Sequence, residues 1–152
     1  AKRSIYLSAA RSFLFNQVLA WRVEQGTWNN PLPGEVWMLE GTKSIFGPEE
    51  LTDDISARCA AKDIHPTGPM WGAGTLRTRA EVQTLESRLP IESPELCRGL
   101  EKAELHQERR ALRLIPKNLQ WRFETDEVLE LRFELPPGAY ATSILAELGE
   151  FA

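Results

Sequence analysis

Apolar residues recur at spacings of three and four from Leu7 onward: Leu7, Ala10, Leu14, Val18 and Trp21 form one stripe and predict an amphipathic helix over 7–23. Arg11, Phe15 and Arg22 fall along one edge of that stripe. A guanidinium beside a ring can grip phosphate and stack on a base, although packing is the preferred reading for Phe15. Gly26 closes the helix, and the turn-rich run Asn29-Asn30-Pro31-Leu32-Pro33-Gly34 leads to a short strand at Val36-Trp37-Met38-Leu39. Gly41-Thr42 turns the chain toward a partner strand at Ser44-Ile45-Phe46. Pro48-Glu49-Glu50 has the composition of a first helical turn, so a second helix is expected over 49–62, with Ile55, Cys59 and Lys62 inward. The run from His65 to Gly74 holds two prolines and three glycines and reads as a structured loop. It lacks the Lys-Ser/Thr ending of a phosphate loop. A short helix is expected over 79–89. Ser93-Pro94-Glu95 reads as an N-cap, first-position proline and favourable acid, opening a long helix carried to 114, with Arg109, Arg110 and Arg113 grouped near its end.

Pro116 ends that helix and the period changes to two. Leu119, Trp121 and Phe123 alternate with Gln120, Arg122 and Glu124, and after Thr125-Asp126 the apolar set Leu129, Leu131, Phe133, Leu135 alternates with polar neighbours. This predicts a half-buried antiparallel hairpin, broken by Pro136-Pro137-Gly138 and followed by a helical pattern over 140–148. A two-stranded hairpin is marginal alone and calls for further strands from a sheet outside this chain. A domain boundary is therefore expected near Pro116, where the period changes.

Composition narrows the class. A hydrophobic share of 42% suffices for a globular core, and the longest apolar runs fall far short of the roughly 20 residues that span a bilayer. With no charged-then-apolar leader either, a cytoplasmic protein without a membrane partner is expected. Two cysteines, Cys59 and Cys97, and two histidines, His65 and His106, approach no zinc-ligand spacing, so buried thiols and no metal are expected. The net charge of −4 conceals an uneven distribution: residues 1–22 and 106–122 each carry +4 and the remainder −12. The two basic segments are candidates for a phosphate backbone. Ala1 is not an initiator methionine and a helical pattern starts within a few residues of it, which suggests the C-terminal part of a larger protein.

Four stretches carry a specific resemblance. Arg11-Ser12-Phe13-Leu14-Phe15-Asn16, Gly68-Pro69-Met70-Trp71-Gly72, Arg109-Arg110 and Leu135-Pro136-Pro137-Gly138-Ala139-Tyr140-Ala141-Thr142, in this order and separation, resemble the TruD family of tRNA pseudouridine synthases nearly end to end. The segment over 29–47 resembles it poorly. The resemblance implies an α+β fold, with 1–113 forming most of a mixed α/β insertion domain and 114–152 supplying an antiparallel hairpin and helix that complete a pseudouridine-synthase catalytic sheet. It further implies isomerisation of a tRNA uridine, uridine 13, to pseudouridine by an aspartate nucleophile, with no cofactor and no metal. The family's Lys-Asp motif and its Phe-Gly-x-Gln-Arg-Phe-Gly segment have no counterpart here. Lys62-Asp63, the only Lys-Asp pair, lacks the flanking residues. No catalytic residue is therefore expected in this chain, and its expected partners are tRNA and the missing N-terminal catalytic part of the same protein. Tyr140 matches a family position lining the uridine pocket, and Arg11, Arg109, Arg110 and Lys117 are the expected RNA contacts. The alternatives are a non-catalytic RNA-binding module and, from a third class, an enzyme using Asp63 and His65 as an acid-base pair. Only the last predicts activity in the isolated chain.

Overall fold

Leu14, Val18 and Trp21 are buried on one side of the first helix, α1 (Lys2–Glu24). The computed structural model describes residues 2–137 and 139–149. Gly26 closes α1 with φ +67°, where Gly26 N donates to Val23 O and Thr27 N to Arg22 O, the paired bonds of a Schellman ending. A short hairpin, β1 (Trp37–Leu39) and β2 (Ile45–Phe46), follows. The next helix, α2 (Asp53–Ala60), starts later than expected. Thr52 takes the N-cap, its hydroxyl accepting from Ile55 N, and Asp53 and Asp54 supply the first-turn acids in place of Glu49 and Glu50.

The expected loop after α2 is a strand, β3 (Ile64–Met70), buried throughout. It pairs antiparallel with β1 through Ile64–Pro66 and with β4 (Glu108–Ala111) through Thr67–Met70, giving a four-stranded sheet ordered β2-β1-β3-β4. Two prolines fit because of parity. Leu112 N donates to Pro66 O, so the Pro66 backbone groups face the β4 side, away from Trp37, its register partner on β1. By alternation those of Pro69 face the β1 side, away from Arg109, its register partner on β4. Neither missing N–H leaves a gap in the ladder.

Three short helices lie between β3 and β4: α3 (Ala80–Glu86), α4 (Leu89–Glu92) and α5 (Pro94–Lys102). The expected long helix to 114 therefore ends twelve residues early. Glu104, at φ +61°, donates to Glu101 O while Leu105 N reaches Leu100 O, a Schellman ending on a non-glycine residue. Beyond it the open edge of β3 captures residues 108–111, and tertiary pairing overrides helix propensity. The main core joins Leu14, Val18 and Trp21 of α1 to Trp71, Leu85, Leu89, Cys97 and Leu100. A second cluster packs Ile55 and Cys59 of α2 on Trp37 and Ile64.

The chain divides into two compact units, Ala1–Arg113 and Leu114–Ala152. The second contains the antiparallel pair β5 (Lys117–Thr125) and β6 (Val128–Glu134), then α6 (Ala141–Ala146). The hairpin is less buried than its alternation suggested. Leu119, Trp121 and Phe123 are all at least half exposed, with Trp121 and Phe123 in edge-to-face contact at 6.0 Å between ring centroids. On its polar face Glu130 accepts from Arg132 Nε at 2.6 Å and from Arg122, and these bonds hold its carboxyl below the usual range. No helix among the described residues is long and apolar enough to cross a membrane.

Candidate functional site

Arginines dominate the chemistry of the first unit, and the side chains of three of them, Arg22, Arg109 and Arg113, are buried. Adjacent residues on a strand face opposite ways, so β4 separates a pair that a helix would have grouped. Arg109 turns inward, where its guanidinium forks onto Glu86 with Nη1 to Oε2 at 2.8 Å and Nη2 to Oε1 at 2.7 Å. It also donates from Nε to Thr67 Oγ1 and from Nη2 to Thr67 O, while Thr78 Oγ1 donates to Glu86 Oε2. The side chains of Arg109 and Glu86 are 5% and 0% exposed, so Arg109 has no donor face left for phosphate.

Arg110 turns outward. Its guanidinium lies over the Phe15 ring at 5.4 Å from the centroid, and it has no ion-pair partner among the described residues. Phe15 itself is buried. Arg11, the other expected contact on α1, is spent like Arg109. Its Nη2 donates to Met70 O and His106 O at 2.7 and 2.9 Å, and its Nη1 lies 3.1 Å from Glu108, which ties α1 to the Met70–Glu108 end of the β3–β4 ladder. Both guanidiniums, expected as RNA contacts, are thus engaged as internal ties in this structure. An open groove of about 370 Å³ runs beside Arg11, lined also by Arg3, Ser4, Leu7, Ser8 and Leu105.

Two further buried clusters had no counterpart in the sequence reading. Arg22, fully buried, donates to Thr27 O and Asn30 O and sits 2.6 Å from Glu35. That approach is poorly aligned for a hydrogen bond, and neither Glu35 oxygen has another donor among the described residues. Burial therefore outweighs the attraction of Arg22 and pushes the Glu35 carboxyl up to about 7. Arg113 donates to His65 Nδ1, Asn29 Oδ1, Cys59 O and Ile64 O. His65, 3% exposed, meets Glu40 through Nε2, while Asp63 pairs with Arg58 on the surface, so the two do not form an acid-base dyad. No group of three or more metal-ligating side chains occurs among the described residues.

In the second unit Lys117 opens β5 and is exposed. Tyr140 precedes α6 in an extended conformation, φ −117° and ψ 131°, with its side chain 72% exposed. Gly138 of the Pro136-Pro137-Gly138 break lies outside the described residues.

Residues 2–148 match the family model described as tRNA pseudouridine synthase D (TruD). The chain belongs to the TruD family. Similar relatives include tRNA pseudouridine synthase D of Xanthomonas campestris pv. campestris, 53% identical over 98% of this chain and 41% of the relative, and that of Hydrogenovibrio crunogenus, 41% identical over 98% of this chain and 43% of the relative. A crystal structure from Methanosarcina mazei, assigned as a tRNA pseudouridine synthase D, has the same fold over 90% of this chain and 36% of that one, with a TM-score of 0.68 at 20% identity. The chain spans about two fifths of the length of the curated relatives it matches. Within this TruD chain the Gly68-to-Gly72 motif is architectural. A Cβ on Gly68 would lie 2.9 Å from the Phe15 ring, and one on Gly72 would overlap the backbone of Leu105 and His106.

Proposed function

We propose that this chain is the C-terminal portion of an enzyme that isomerises a tRNA uridine to pseudouridine, with uridine 13 as its target and the nucleophilic aspartate on polypeptide outside this chain. One observation carries the reading: a nearly end-to-end match to proteins named tRNA pseudouridine synthase D, at up to 53% identity, in a chain without a flanked Lys-Asp motif. Residues 1–113 form most of the family's insertion domain and 114–152 return to its catalytic sheet. The exposed Leu119, Trp121 and Phe123 face of β5 supports this, because a hairpin of two strands buries too little to stand by itself.

Within this reading Tyr140 lines the uridine pocket. A base extracted from RNA is held by stacking and edge contacts, and a ring exposed directly after a turn, ahead of a short helix, is free to provide one. Arg110 and Lys117 contact phosphate, since both are exposed. The experiment is Tyr140→Ala in the full-length enzyme, with turnover and tRNA binding measured together. Turnover falls while tRNA affinity changes little, and unchanged turnover at saturating tRNA removes Tyr140 from the pocket.

A further inference from the structure

Helix α1 is apolar on two sides. Its buried side is centred on Leu7, Leu14 and Val18. On the opposite side Ile5, Tyr6, Ala9, Phe13, Ala20 and Val23 fall within an arc of about 100° and run for about 27 Å along the axis. Ile5 is 67% exposed, Tyr6 72%, Phe13 55% and Val23 54%, which amounts to open apolar surface on the order of 500 Å². A helix with one core-facing stripe ordinarily presents charge on its far side. Here the arc between Ile5 and Val23 holds one polar residue, Asn16, and no charged one.

We infer that this second face of α1 is the docking surface for the part of the full-length protein that its relatives possess and this chain does not. The inference rests on the proposed reading of the chain as a portion of a longer enzyme. Three observations select that occupant. First, about three fifths of the length of the curated relatives lies outside the matched region, so a large polypeptide is tethered to this unit. Second, two copies meeting through this stripe would bury only about 1,000 Å² in total, below the roughly 1,200 Å² at which specific dimers begin. A tethered segment needs less area because its effective concentration is high. Third, the arc holds no cation between Ile5 and Val23 and ends beside the acid Glu24, which argues against RNA, whose backbone requires cations interleaved with the stacking rings. Arg11 and Arg22 lie on the other side of the helix and are internally paired.

The test places single cysteines in the full-length protein at Ala9→Cys and Ala20→Cys, within the arc, and at Ser8→Cys, exposed outside it. Maleimide labelling is then followed with and without tRNA across a range of protein concentrations. The two thiols of this chain contribute little background: Cys59 and Cys97 are buried, and burial pushes the Cys97 thiol up to about 11; labelling of the parent protein is subtracted for any others. Ala9→Cys and Ala20→Cys are expected to label on the order of tenfold more slowly than Ser8→Cys, at every concentration and without tRNA. Equal rates would overturn the inference. Protection that grows with protein concentration would overturn it in favour of a second copy, and protection appearing only with tRNA would overturn it in favour of RNA. Labelling reports burial whether or not the protein isomerises uridine, so a separate pseudouridine assay distinguishes failure of this surface from failure of the enzymatic reading.

Discussion

Arg113 donates from Nε to Nδ1 of His65 over 2.8 Å, and this bond assigns the imidazole proton to Nε2, where it faces Glu40 at 2.5 Å. The same guanidinium holds the carbonyls of Cys59 and Ile64 and the Asn29 amide oxygen, so the last residue of the first unit ties together the end of α2, the start of β3 and the loop after α1.

Lysine cannot reproduce that fork, because a single ammonium replaces a planar set of donors. Arg113→Lys is expected to cost about 2–4 kcal/mol, leaving buried acceptors unpaired. Urea unfolding of the full-length protein checks it, and an unchanged midpoint would show that the guanidinium adds nothing beyond packing.

Helix ends illustrate what one sequence reveals and what it hides. Three helices close with the same paired bonds, on Gly26, Lys62 and Glu104, each at positive φ. Only the glycine signals its conformation by residue type, so the end of α1 was legible while α2 was carried two residues too far and α5 twelve. Strands β5 and β6 were legible because their apolar residues alternate. In β3 and β4 the residues facing inward include His65, Thr67, Pro69 and Arg109, so burial there has no hydrophobic period. The two expected RNA contacts that proved internal, Arg11 and Arg109, share that cause. Their partners Met70, His106, Thr67 and Glu86 are 23 to 95 residues away in sequence.

Glu35 makes stability depend on pH. Its folded value of about 7 lies above the ordinary 4.5, so the folded state holds the proton more tightly. The contribution is complete below about 4.5 and is lost as pH rises through about 7. The separation of these values corresponds to at most about 3 kcal/mol. Glu35→Gln is expected to flatten the dependence between pH 5 and pH 8, measured by denaturant midpoints at about half-unit steps. A variant with the parent's slope would assign the effect to another group.

Arg109 and Arg110 are adjacent, yet they separate stability from binding. Arg109→Lys breaks the fork onto a fully buried Glu86 and is expected to cost about 3–5 kcal/mol. Arg110→Ala leaves the ladder intact and is expected to change stability by less than about 1 kcal/mol, while reducing the salt slope of tRNA binding by about 1. An unaltered slope would remove Arg110 from the phosphate contacts.

Gly68 and Gly72 lie four residues apart in one motif and admit a methyl group to different degrees. At Gly68 the added Cβ meets the Phe15 ring and the Leu112 side chain at 2.9–3.0 Å, and both can shift by a few tenths of an ångström. At Gly72 it meets the carbonyls of Leu105 and His106, where Ala73 N donates to Leu105 O and Gln107 N returns to Ala73 O. Backbone fixed on both sides has nowhere to move. Gly68→Ala is accordingly expected to cost about 1–2 kcal/mol and Gly72→Ala about 3 kcal/mol or more. Denaturant unfolding of the two variants side by side gives the order, and the reverse order would mean that the Leu105–His106 segment yields more readily than the packing of α1 on β3.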